Sequence, residues 1–282
     1  MLFGEYVVLN GAKCLAFPLK FGQTLAIEPA EELLWESFAK EERWFHVRMN
    51  ADLEIHETNL PKVAEILRDL LCILREERPD LNFQVHFKAV ANFNLGWGLG
   101  SSSTLISLLN QWSGVPSEKL LKASFGGSGY DVACATAKQP IVYVKGGATE
   151  EVTLPVHITE KMLFVYLGNK QNSREEIKRY QKAEVTSAHV QAMNDLVEMA
   201  LEATNIEAFE EQLNKSEALI APIIGHEKLK DRLFADYSHS VKSLGAWGGD
   251  FFLATVRDME AAKTYFRNKG YTTLFEYNEL IK

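Results

Sequence analysis

Apolar positions along the chain follow two rhythms. Over residues 59–79, Val63, Ile66, Leu67, Leu70, Leu71 and Leu74 recur at three- and four-residue spacing, with Pro61 where a first helical turn tolerates it. That spacing predicts an amphipathic helix lying on a sheet. Directly afterwards the period drops to two: Phe83, Val85 and Phe87 alternate with Gln84, His86 and Lys88, which predicts a half-buried strand. Short β-branched and aromatic runs predict further strands at 3–9, 25–27, 44–47, 141–144, 162–167, 251–256 and 272–275, the first closed by a hairpin turn at Asn10-Gly11. Helical periodicity returns from Ser173 to about Ile220 with a break near Asn205, then around Leu229 and Leu233, and again over 258–268. Strands and helices interleaved in this way predict two α+β domains, 1–155 and 156–282, divided near Leu154-Pro155.

Composition narrows the functional classes. A chain of 282 residues can bury a substantial core as one large or two medium domains. Its formal net charge of −8 and the lack of a Lys/Arg block argue against a surface for nucleic acid or anionic membrane, so any phosphate recognition must be local. Cys14, Cys72 and Cys134 are widely spaced and form no CxxC pair, and they read as reduced hydrophobic residues. No apolar run approaches the ~20 residues of a membrane span. The expected compartment is the cytoplasm.

Candidate chemistry begins at NLGWGLGSSSTLISLL, residues 94–109, where the predicted strand runs into glycines, hydroxyls and a helical apolar run. Two readings are open for these residues. Glycine permits a tight strand-to-helix turn, with Ser101 capping the helix. Alternatively, bare amides at a helix start cradle phosphate, and the hydroxyl of Ser102 or Ser103 holds a metal ion bound to it. Asp131, in the second glycine cluster FGGSGYDVACA, reads either as an N-cap worth about 1 kcal/mol or as a functional carboxylate.

Three glycine-rich stretches stand in register along the chain: GEYVVLNGAKCLAFP from Gly4, GLGSS from Gly98 and LGAWGGD from Leu244. Together they resemble the three motifs of the GHMP kinases, the superfamily of galactokinase, homoserine kinase, mevalonate kinase and phosphomevalonate kinase. GSGYDVACA is most similar to the corresponding segment of phosphomevalonate kinases, and its Gly-Tyr-Asp also resembles a bacterial subgroup named after GYDIA. The resemblance implies an N-terminal domain like domain 2 of ribosomal protein S5 and a ferredoxin-like C-terminal domain. It implies an ATP- and Mg2+-dependent phosphotransferase acting on a small-molecule acceptor, mevalonate or phosphomevalonate first.

Residue by residue, the resemblance gives ATP binding to Gly96, Trp97, Gly98, Leu99, Gly100, Ser101, Ser102 and Ser103, with Ser102 at the position of the magnesium-binding serine. Asp131 takes the place of the catalytic aspartate. Gly245, Ala246, Gly248 and Gly249 would close over the phosphates, and Glu5 and Tyr6 would line the acceptor pocket. Asn94 and Trp97 depart from the usual loop, and Trp247 adds unexpected bulk to the third motif, where it reads as either a misfit or a packing plug. Lys170 and Arg174 read as a solvated face, and Glu118 is out of register for a second metal ligand. The family's Gly-Lys would fall just before Met1, so the expectation is either an upstream start, the favoured reading, or a protein that lacks one catalytic cation. Neither nucleic acid nor membrane is expected as a partner; a homodimer is compatible with the reading. Rival readings are a nucleotide-binding protein without turnover, a kinase for a sugar or homoserine, and a diphosphomevalonate decarboxylase.

Overall fold

The computed structural model describes residues 1–168, 173–245, 247 and 249–282. Along the chain run β1 (Cys14–Ala16), β2 (Gln23–Pro29), β3 (Leu33–Ala39), β4 (Glu42–Met49), β5 (Ile55–Thr58), α1 (Pro61–Glu77), β6 (Val85–Ala91), α2 (Ser101–Ser113), α3 (Ser117–Ala123) and α4 (Tyr130–Thr136). There follow β7 (Ile141–Tyr143), β8 (Thr149–Glu151), α5 (Val156–Thr159), β9 (Met162–Tyr166), α6 (Ser173–Tyr180), α7 (Ser187–Leu201) and α8 (Ile206–Ile224). The chain ends with α9 (Leu229–Leu233), β10 (Val241–Ser243), β11 (Phe251–Thr255), α10 (Met259–Asn268), β12 (Leu274–Glu276) and α11 (Tyr277–Leu280).

These elements divide into two compact units that are discontinuous in sequence. The first comprises Met1–Lys20, Gly96–Gly98 and Thr136–Lys282; the second comprises Phe21–Leu95 and Leu99–Ala135. The expected boundary near Leu154 falls inside the first unit.

The second unit is built on a five-stranded sheet in the order β2-β6-β3-β4-β5, with β3 and β6 parallel and the other pairs antiparallel. Its core follows from the two rhythms of the sequence. Val85, Phe87, Ala89 and Ala91 on β6 point inward in alternation. Ala64, Leu67, Leu70, Leu71 and Leu74 form the buried stripe of α1, and Ile106, Leu109, Leu120 and Val132 join them from the later helices. Trp35 and Phe87 stack at 4.9 Å, and Trp112 meets Phe87 edge-on at the same separation.

The first unit holds the antiparallel sheet β10-β11-β9-β12 and the small sheet β1-β7-β8. From β9 onward the order is strand, helices, two strands, helix, strand. With β9 and β11 central, this is the β-α-β-β-α-β arrangement of a ferredoxin-like unit. Its core gathers Leu163, Val165, Phe234, Tyr237, Val241, Phe252, Ala254 and Phe266. The break expected near Asn205 is a helix boundary, where the Asn205 side chain accepts from the Ala208 amide and starts α8.

Three local expectations are corrected. Residues 3–9 do not form a strand: after an isolated bridge at Phe3, the chain enters a 3₁₀ turn, Val7–Asn10, closed by Gly11 in the left-handed region. The hairpin signal at Asn10-Gly11 therefore ends a helical turn, since glycine at positive φ serves either geometry. Ser101 is not a cap; the cap position of α2 is Gly100 at φ 78°, with no side-chain hydrogen bond. Asp131 lies inside the first turn of α4, two residues past the position that would cap it. Sequence reasoning also missed β1, β3, β5, β8 and β10; β1, β8 and β10 are only three residues long, β5 is polar-rich, and the consecutive Leu33, Leu34 and Trp35 of β3 blur its alternation.

Candidate functional site

In the second unit α2 begins at Ser101 with no side-chain cap on its first amides. A helix start has amides without intrahelical partners, and here Gly100 brings no side chain to satisfy them. Together with the positive end of a 13-residue helix, they make a favourable position for an anion. Gln23 on β2 fixes this helix start, donating to the Ser101 carbonyl at 2.8 Å and to Thr104 Oγ1 at 2.6 Å. Buried Ser103 donates its hydroxyl proton to Asp131 Oδ2 at 2.6 Å. The sheet and core of this unit thus bring together Ser101, Ser102, Ser103 and Asp131. Gly126, Gly127 and Gly129, all at positive φ, let the chain turn sharply enough to present Asp131 to Ser103.

Ser102 is half-buried beside this pair. Magnesium usually keeps several waters and takes one or two protein oxygens plus phosphate oxygens. A hydroxyl and a nearby carboxylate fit that demand. Among the described residues no group of three or more His, Cys, Asp or Glu side chains is arranged to hold a metal by itself. Among the described residues no cysteine is in a disulfide, and Cys14 and Cys134 are buried.

The first unit carries the other predicted residues. Tyr166 donates its hydroxyl proton to the Gly96 carbonyl at 2.8 Å. The Trp97 ring packs edge-on against Phe275 at 5.5 Å and Phe251 at 6.2 Å. Gly98, at φ 66°, lies so close to Asp250 that a Cβ there would come within 2.2 Å of its carboxyl carbon. Leu99 and Gly100 belong to the second unit. In the third motif, Gly245 has φ 60° and Gly249 is buried, whereas Ala246 and Gly248 lie outside the described residues, as does Lys170. Trp247 is a packing plug: it is buried, with φ 50°, and the Lys242 ammonium stands 5.5 Å from its ring centre.

The first motif turns sharply. A Cβ on Gly4, at φ 94°, would strike Cys14 at 2.5 Å, and Tyr6 follows at φ 63°. The buried Tyr6 ring stacks on Tyr180 at 5.3 Å, and the Tyr180 hydroxyl donates to Asn10. Burial, reinforced by the Glu176 and Glu5 carboxylates, pushes the Tyr6 phenol well above its ordinary range. Burial likewise pushes the Tyr180 phenol up to about 12. Both are therefore neutral hydrogen-bonding groups near pH 7. Nearby, buried Glu176 meets His226 at 3.2 Å and Arg179 at 3.4 Å.

Glu5 does not stand with Tyr6 as an ordinary strand pair. Its carboxylate is buried against Lys242, and Lys242 also lies 3.3 Å from Glu217. Neither Lys242 nor Glu217 was singled out from the sequence. Their only signals were a lysine inside the apolar-bounded run SVKSLG, and a glutamate on the α8 face that carries Leu213 and Ile220.

No protein-family model matches the sequence, and no curated protein is a significant match. Solved structures are similar over nearly the whole chain. Phosphomevalonate kinase from Streptococcus pneumoniae, in complex with phosphomevalonate and AMPPNP, has a TM-score of 0.74 at 16% identity, covering 98% of this chain and 96% of that one. Mevalonate kinase from Methanococcus jannaschii has a TM-score of 0.68 at 18% identity, covering 97% and 93%. Lactococcus lactis galactokinase, complexed with galactose, has a TM-score of 0.68 at 14% identity, covering 98% and 90%. The chain therefore has the α+β fold shared by these enzymes, the GHMP kinase fold.

Proposed function

We propose that the protein is an ATP- and magnesium-dependent small-molecule kinase, with mevalonate or phosphomevalonate as the acceptor. The observation that carries this reading is the Ser103–Asp131 hydrogen bond at 2.6 Å beside the start of α2, a helix end without a side-chain cap, suited to an anion, next to a carboxylate. The similarity in fold to a kinase complexed with phosphomevalonate and AMPPNP supports it.

In this reading the amides of Gly96, Trp97, Gly98, Leu99, Gly100, Ser101, Ser102 and Ser103 bind the nucleotide and its phosphates. Magnesium bound with ATP supplies charge neutralisation, and Ser102 would hold it. Asp131 orients the acceptor hydroxyl and takes its proton as the oxygen–γ-phosphorus bond forms and the bond to ADP breaks. For a phosphate acceptor, which is already ionised, the same carboxylate acts by orientation. Gly245, Ala246, Gly248 and Gly249 supply the closing backbone. Glu5 and Tyr6 remain the acceptor-side pair, with Tyr6 the more direct because Glu5 is committed to Lys242. The partners proposed are ATP and the acceptor, with a cytoplasmic location and no membrane or nucleic-acid surface. Among the described residues no helix is long and apolar enough to cross a membrane.

The test offers γ-labelled ATP with mevalonate, phosphomevalonate, galactose and homoserine. Label on mevalonate or phosphomevalonate supports the reading. Label only on galactose or homoserine replaces the acceptor, the galactokinase likeness being the observation that favours that second reading. Nucleotide binding with no transfer to any acceptor removes the enzyme.

A further inference from the structure

Three ionisable side chains are shut inside the first unit. Lys242 on β10 is 0% exposed, Glu5 1% and Glu217 on α8 2%. Buried charges cost several kcal/mol each in lost hydration, and apolar residues of similar volume often stabilise a core as well or better. Such a group requires an explanation other than bulk stability.

Geometry supplies one. An ammonium has three N–H donors. The Lys242 ammonium donates to Glu5 Oε1 and to the Ser243 carbonyl at 2.7 Å, and its remaining direction lies toward Glu217 Oε1 at 3.3 Å, with the Trp247 ring on one side. Glu217 Oε1 also accepts the Ser243 amide at 2.9 Å. Both backbone polar groups of Ser243 are thus tied to the cluster, at the residue where the chain leaves β10. At the other end, Glu5 sits between two residues of positive φ, Gly4 at 94° and Tyr6 at 63°. The turn after Ser243 is of the same kind, with Gly245 at 60°, Trp247 at 50° and Asp250 at 52°. Left-handed backbone at non-glycine residues persists only where its surroundings over-determine it. The second Glu5 oxygen, Oε2, has no hydrogen-bond partner among the described residues, so Lys242 is the group that holds this carboxylate.

We propose that Lys242 is a positioning residue: clamped between Glu5 and the Ser243 carbonyl, it fixes two strained glycine turns, one assigned to the acceptor and one to phosphate closure by the kinase reading on which this inference rests. It touches no reacting atom. Removing it would leave the fold's cores in place while loosening the backbone of both turns.

The test compares wild type, Lys242→Met, Glu5→Gln and the double variant Glu5→Gln/Lys242→Met. Lys242→Met keeps the stem but leaves two buried carboxyl groups, Glu5 and Glu217, without their cation, and its melting temperature is expected to fall by roughly 10 °C. The double variant removes the Glu5–Lys242 pair, leaving Glu217, and is expected to recover at least about half of that loss, which an uncoupled pair would not. Amide exchange read by mass spectrometry is expected to quicken in peptides covering 4–11 and 243–250, with little change over α1 and β6. These measurements need no turnover, so they judge the cluster whether or not phosphoryl transfer is found. Where transfer is found, kcat in the double variant is expected to fall about tenfold or more with KM for ATP within about threefold, because misplaced groups slow the step they orient. Unchanged exchange in both turns for Lys242→Met, or a double variant no more stable than Lys242→Met, overturns the proposal. Quickened exchange with kcat unmoved overturns the link to the reaction.

Discussion

Asp131 accepts a hydrogen bond from Ser103 through one oxygen at 2.6 Å, and an amide at this position could still accept that bond. Asp131→Asn therefore preserves the contact while removing the proposed base. Phosphoryl transfer is expected to drop by about 10²–10⁴-fold, the usual worth of a positioned general base. Nucleotide affinity and melting temperature should change little, as steady-state kinetics, calorimetry and thermal melts would check. Equal loss of nucleotide binding would move Asp131 from the reaction to structure. Gly98 offers a second test. A methyl group there would meet the Asp250 carboxylate at 2.2 Å on backbone of φ 66°, so Gly98→Ala incurs a clash as well as the left-handed strain of about 1–2 kcal/mol. Its melting temperature is expected to fall, and Gly98→Ala/Asp250→Ala should recover the part due to the clash. The glycine was legible in the sequence as a turn residue. Its neighbour was not, because 152 positions of chain separate Gly98 from Asp250 and only the folded backbone brings them together.

Elements with strong periodicity were the most readable. The stripe of α1 and the alternation of β6 carry their burial pattern openly, because each repeats one face over several turns or residues. Leu70 and Leu71 are fully buried in that stripe, and Leu70→Ala should cost about 2–5 kcal/mol in denaturant unfolding. Where a tight turn set the conformation, pattern failed. The run EYVVLN has the residues of a strand, yet Gly4 and Tyr6 at positive φ break extended pairing and the segment coils into a 3₁₀ turn. The catalytic candidates were found by motif, but Lys242 and Glu217 were hidden. Their partner is 237 residues from Lys242, and a buried charge cluster leaves no local periodicity. Glu217 has a consequence at this scale. Burial holds its carboxyl above the usual carboxylate range, with Glu5 adding to the effect and Lys242 opposing it. The folded state then keeps a proton that the unfolded chain releases, so this group's contribution to stability falls as pH rises from the ordinary carboxylate value through the raised one. Melting curves across that window should show Glu217→Gln flatter than wild type; identical slopes would count against a retained proton.

At the scale of the whole molecule, a net charge of −8 has to coexist with the proposed polyanionic substrates. Attraction must come from local dipoles and from the cation that accompanies ATP, since the overall field opposes approach. Stabilisation by ATP should consequently require magnesium. At a ligand concentration about 100 times Kd the gain is about 2.7 kcal/mol, readable as a shift in melting temperature that EDTA abolishes. An equal shift without the metal would contradict the reading. The division of the chain into two units also bears on how it assembles. Phe21–Ala135, apart from three residues, forms one unit around Trp35, Trp44 and Trp112, whereas the opening segment finds its strand partner only when β7 exists and its buried counter-charge only at Lys242. On a ribosome, the middle of the protein can consolidate early, whereas residues 1–20 gain their strand partner only after residue 143 and the Lys242 partner of Glu5 only after residue 242 has been made.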